Sequence, residues 1–116
     1  MSVAPGILNL TFPQGATWEL SLTWTDNDGD AIDVTNYSAR MQARNGYDGD
    51  AVLSLTSGSG ITLGGTAGTI DLSVDAATTA AIGAAQYVYD LEVESSGGVV
   101  SRVVQGTLTV TREVTR

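Results

Sequence analysis

A chain of 116 residues has room for one domain with its own core and is too short for two. Its 42% hydrophobic and 16% charged residues describe a folded domain rather than a disordered segment. A net charge of −8, with every basic residue an arginine, works against binding nucleic acid or an anionic membrane surface.

The first ten residues, MSVAPGILNL, carry neither the basic start nor the long apolar stretch of a signal peptide. No apolar run approaches the ~18–20 residues that span a bilayer. The expectation is a single domain over residues 1–116, made in the cytoplasm and not inserted in a membrane. Residues 1–6 read as a loose lead-in closed by Pro5-Gly6, and residues 112–116 as a tail.

Ile7 to Phe12 reads as a short strand ended by Pro13, which suits a sheet edge because proline offers no donor to a ladder. Thr17 to Thr25 alternates sharply. Trp18, Leu20, Leu22 and Trp24 fall on one face, and the two tryptophans are expected to anchor the packing. Asp26 to Asp30 is a turn by composition, and Ala31 to Val34 resumes as a strand before Thr35-Asn36-Tyr37 breaks it. Ser38 to Arg44 sets Ala39, Met41 and Ala43 against Arg40, Gln42 and Arg44. After a second turn at 45–50, Ala51 to Thr56 and Ile61 to Leu63 are short strands around a Ser-Gly-Ser-Gly connector. A further turn at 64–68 leads to Thr69 to Val74, with Ile70, Leu72 and Val74 inward.

The one helical piece spans Ala76 to Ile82, with Asp75 as its N-cap and Gly83 just past its end. Seven residues lie far below the ~12–15 at which an isolated helix is even marginal, so it must pack across the end of a sheet. Gln86 to Val110 then forms a long hairpin. Tyr87, Tyr89, Leu91 and Val93 face the core from its first arm. The even positions of the second arm, from Val100 through Arg102 and Val104 to Val110, share that face across a two-residue turn within Ser95–Gly98.

Eight or nine short strands with turn signals at roughly 8–12-residue spacing predict an all-β, immunoglobulin-like β-sandwich of antiparallel strands, with a small closed barrel as the rival. In many such sandwiches a tyrosine entering the penultimate strand bonds back to the segment that crosses between sheets. Tyr87 would hold that corner, and Tyr89 would sit where antibody domains keep a cysteine.

No constellation names a reaction, and the chain reads as a non-enzyme with no cofactor. The absence of His, Cys and Lys removes imidazole bases, thiolates and Schiff-base amines. Glu19, Asp90, Glu92 and Glu94 fall on the wet faces of strands, where nothing builds a pocket. Asp26-x-Asp28-x-Asp30 copies the front half of a calcium loop. Its back half departs from the pattern: Ala31 replaces the turn glycine, and Tyr37 stands where a bidentate Glu should close the shell. Either a solvated turn or a weak cation site fits these residues. Arg102 is the odd residue on the apolar face, read either as a rim arginine or as one reaching a carboxylate of another subunit. Val99 and Val103, on the outer face, are candidate partner contacts.

Three stretches carry a resemblance: WTDNDGDAIDVTNYSARMQAR at 24–44, SGITLGGTAGTIDLSV at 59–74, and QYVYDLEVESSGGVVSRVVQGTLTV at 86–110. Together they resemble tail and baseplate proteins of tailed bacteriophages, most nearly the immunoglobulin-like N-terminal domain of phage upper baseplate proteins. The resemblance implies a structural or adaptor component of the virion tail that docks onto other tail proteins as a homo-oligomer. The alternatives from other classes are a carbohydrate- or receptor-binding module, with or without calcium, and a capsid decoration protein.

Overall fold

The computed structural model describes residues 6–114, and the expectations for residues 1–5 and 115–116 lie outside that range. The protein is all-β. Nine strands are present among the described residues: β1 (Gly6–Ile7), β2 (Leu10–Pro13), β3 (Trp18–Thr23), β4 (Ser38–Arg44), β5 (Ala51–Ser57), β6 (Gly60–Leu63), β7 (Thr69–Val74), β8 (Gln86–Glu94) and β9 (Val100–Thr111). A 3-10 turn covers Gly65–Ala67, and one helix, α1, covers Ala76–Ala80.

The strands form one hydrogen-bonded path, β1-β9-β8-β4-β5-β6-β7-β3, with β2 also paired to β9. Two separate sheets would have required a gap between β5 and β6. Here those consecutive strands run parallel and touch through Thr56↔Gly60 and Ser57↔Ile61, which makes the sheet continuous. The tight loop between them needs Gly60 at φ +97, and a Cβ there would lie 2.6 Å from Leu55 Cδ2. The path does not close into a barrel, because β3 pairs with β7 alone among the described strands. Instead the sheet curls until Phe12 of β2 meets Trp18 of β3, with ring centroids 4.1 Å apart.

The core follows the period of two. Met41, Ile70, Leu91, Leu108 and Phe12 are fully buried, drawn from strands all along the path. Trp24 is buried and meets Tyr37 edge-on at 6.3 Å. Trp18, expected to be its equal, is only half-buried because β3 is the last strand of the sheet.

Several expectations are corrected. Gly6 already pairs with Val104, so the lead-in does not extend to residue 6. Ala31 to Val34 is not a strand: an isolated bridge joins Thr25 to Ala31, after which the Val34 N–H donates to the Gly65 carbonyl instead of continuing a ladder with β3. The helix stops at Ala80 rather than Ile82, because the Ile82 N–H turns in to the Thr79 carbonyl and its side chain enters the core. Its start is as expected, with the Asp75 carboxylate accepting from the Thr78 N–H at 2.8 Å. Thr79, the buried polar side chain of α1, accepts from the Gly15 N–H and donates to the Ala16 carbonyl, which ties the helix across the end of the sheet.

The hairpin turn is also longer than expected. Ser95 and Val99 pair, the Gly98 N–H donates to the Ser95 carbonyl, and the loop holds three residues rather than two. An odd loop alone would flip the second arm, and a bulge flips part of it back. Glu92 faces Arg102 but Leu91 faces Val104, so Val103 is an extra residue in β9. Beyond the bulge, Val104, Leu108 and Val110 face the core as expected. Before it, Val100 and Arg102 point outward, opposite Glu94 and Glu92.

Candidate interaction face

The three-residue turn and the bulge at Val103 together build a site: the bulge returns Val104 to the core, and the turn puts Arg102 on the same outer face as the alternate residues of β4 and β8. On β8 these are Val88, Asp90, Glu92 and Glu94; on β4 they are Arg40, Gln42 and Arg44. The face is concave, with a groove of about 570 Å³ bounded by Ile7, Tyr47, Arg44, Asp90, Arg102 and Thr107.

Two of its three arginines, Arg40 and Arg102, are ion-paired with its three carboxylates. Arg40 donates from Nε to Glu92 at 3.1 Å and from Nη1 to Glu94 at 3.2 Å, and Glu94 first, then Glu92, raises the arginine pKa. Arg102 lies 3.5 Å from Asp90 and donates to Gln105 Oε1 at 2.9 Å. Arg44 donates to the Gly49 carbonyl and to Gln42 Oε1, which braces the 45–50 turn against β4. Partial burial, then the charge of Glu92, pushes the Asp90 pKa up; Arg102 opposes both.

Three arginines face three carboxylates here, so the face is neutral and the rest of the protein carries the whole charge of −8. These pairs are solvent-facing and contribute little to the fold, so stability alone gives little reason for their arrangement. Two exposed apolar groups flank the groove: Tyr47 is 87% exposed at one end and Ile7 78% exposed at the other.

Among the residues singled out from sequence, Arg102 belongs to this face, not to the apolar one. Val99 stands at the hairpin tip, 66% exposed. Val103 is the bulge residue, half-buried and packed against the core cluster rather than standing on the outer face. Glu92 and Asp90 lie on the groove, while Glu19 is on β3, outside the groove lining. Asp26, Asp28 and Asp30 do converge, each offering an oxygen within 4.8 Å of the others. Asp26 Oδ1 already accepts from the N–H groups of Asp28 and Asp30, at 2.9 and 3.0 Å, and this accounts for the acidic turn as a self-capped loop.

Sequence reasoning missed Tyr47 and Arg44. An aromatic residue inside an otherwise polar Gly-Asp turn was the available signal for the first. Periodicity alone did not mark the second, since it gives no reason to prefer one wet face over another.

The fold defines a β-sheet protein with a neutral, arginine-bearing groove. The chain matches no protein-family model and no curated protein.

Proposed function

We propose that this protein is a non-enzymatic structural or adaptor component of a bacteriophage virion, most specifically of the tail tip or baseplate, that docks onto other tail proteins. The observation that carries the docking part is the neutral face of β9, β8 and β4. Most of an acidic protein's surface repels other acidic proteins, and a neutral patch with exposed Tyr47 and paired arginines is where close approach costs least. Arginine and tyrosine are also the residue types that concentrate at interfaces.

The virion part rests on the sequence resemblance. The strand succession agrees with an immunoglobulin-like reading: β3, β7 and β6 neighbour one another, β9, β8, β4 and β5 neighbour one another, and α1 crosses between β7 and β8. Tyr87 supports the same reading by donating to the Gly83 carbonyl at 2.6 Å.

Two measurements test the proposal. Mass spectrometry of purified particles should find the protein at a fixed copy number, and its absence from particles overturns the virion role. Charge reversal by Arg102→Glu, with an unchanged melting temperature, should lower incorporation. Unchanged incorporation removes the groove as the docking face.

A further inference from the structure

We infer that two copies of this chain pair edge to edge through β3, antiparallel and centred on Ser21. The inference rests on the geometry of β3 and not on the virion reading. β3 bonds to β7 in an unbroken register from Trp18↔Val74 to Thr23↔Thr69, and its other edge has no strand neighbour among the described residues. The Trp24 N–H, one residue on, donates to the Gly68 carbonyl at 2.9 Å, which fixes the parity. By antiparallel alternation, Trp18, Leu20 and Leu22 aim their backbone groups at β7, while Glu19, Ser21 and Thr23 aim theirs outward.

Protein sheets normally guard such edges with proline, lysine, a break or a bulge. The far end of this sheet is guarded: it is broken between β1 and β2 and ends in Pro13. β3 has none of these devices.

The residues of that edge are self-complementary. WELSLTW, residues 18–24, has the same apolar pattern read in either direction from Ser21. A two-fold axis normal to the sheet sets Ser21 against Ser21 of the second copy, Leu20 against Leu22, Trp18 against Trp24 and Glu19 against Thr23. No like charges oppose each other, and every outward N–H and C=O of Glu19, Ser21 and Thr23 finds a partner. Trp18, Leu20 and Leu22 are half-buried and packed on the core from one side. The same side chains of the second copy would cover their open flanks. This is the isologous geometry that closes after two subunits.

The chain has no cysteine, so one introduced thiol reports the register. Hydrogen-bonded antiparallel pairs bring Cα atoms to about 5.5 Å, inside disulfide range. Oxidised Ser21→Cys should run as a covalent dimer, and Thr23→Cys, which faces Glu19, should stay monomeric. A mixture of Glu19→Cys and Thr23→Cys should cross-link. Sedimentation of the unmodified protein at millimolar concentration should show a dimer that tightens with salt, which screens the −8 on each copy. Ser21→Pro removes the outward-facing backbone donor together with the exposed hydroxyl bond from Ser21 to Asp71, leaves the β3–β7 ladder intact and should yield a folded monomer. The inference is overturned by equal cross-linking at Ser21 and Thr23, by a monomer at all concentrations, or by a dimer that survives Ser21→Pro.

Discussion

Tyr89 of β8 stands opposite Gly106 of β9, and the missing side chain at 106 leaves room for a third strand. A Cβ on Gly106 would lie 2.5 Å from the Leu8 carbonyl oxygen, and that same oxygen accepts the Tyr89 hydroxyl at 2.5 Å. The Asn9 side chain completes the join by accepting from the Thr107 N–H at 3.1 Å. The break between β1 and β2 is therefore held by side chains of β8 and of the break itself.

Gly106→Ala should push the Leu8–Asn9 segment off β9 and destabilise the fold by about 1–3 kcal/mol, the usual cost of overpacking. Urea denaturation measures the loss. Hydrogen exchange should show it first at residues 8 and 107, whose N–H groups bond across this join.

Burial pushes the Tyr89 pKa up to about 12. Its folded value exceeds the unfolded one of ~10, so the folded state binds the proton more tightly. The contribution is whole below pH ~10 and is lost as pH rises through about 12. Stability measured across that window should fall more steeply in the parent than in Tyr89→Phe. The chain has no lysine, so few other side chains titrate there.

Tyr87→Phe leaves the Gly83 carbonyl without its donor beside a buried ring, and should cost about 1–2 kcal/mol. The melting temperature should drop while the far-ultraviolet spectrum stays that of a sheet protein. A change of less than about 0.3 kcal/mol would show that the corner bond is dispensable.

Asp90 behaves in the opposite sense to a capping carboxylate. Its folded pKa is raised, so the native state loses stability as pH rises from below the unfolded value near 3.8 through the folded one. Asp90→Asn removes that loss and should be at least as stable as the parent at pH 7, despite giving up the Arg102 pair. Asp75, whose pKa is lowered by the hydroxyl and the N–H of Thr78, has the reverse sign: its contribution is present above the unfolded value and is lost as pH falls through the folded one. Asp75→Ala should flatten the acid limb of the stability curve.

Calcium should leave the melting temperature unchanged, because Asp26 already spends an oxygen on the Asp28 and Asp30 N–H groups. A stabilising shift at millimolar calcium, abolished in Asp28→Asn, would favour the cation-assisted binding module.

Strand positions were legible in the sequence wherever one face is dry. Ser38–Arg44 and Thr69–Val74 have the bounds that alternation assigns them, because a period of two leaves the core face no freedom. The N-cap at Asp75 was legible for a similar reason: the signal is local. Arg102 was not, because the three-residue loop flips the parity of the second arm as far as the bulge, which restores it only from Val104 on. Whether Val103 is paired or skipped depends on β8, not on the residues of β9.

The sequence by itself determined an all-β chain, most of its core residues and its excess of acid, since these follow from periodicity and composition. Only the tertiary structure decided that β5 and β6 join the strands into one sheet, and that the arginines gather on a neutral groove. It alone left β3 with an open edge. These depend on which strands become neighbours, and neighbourhood is set by the packing of the whole core rather than by any one segment.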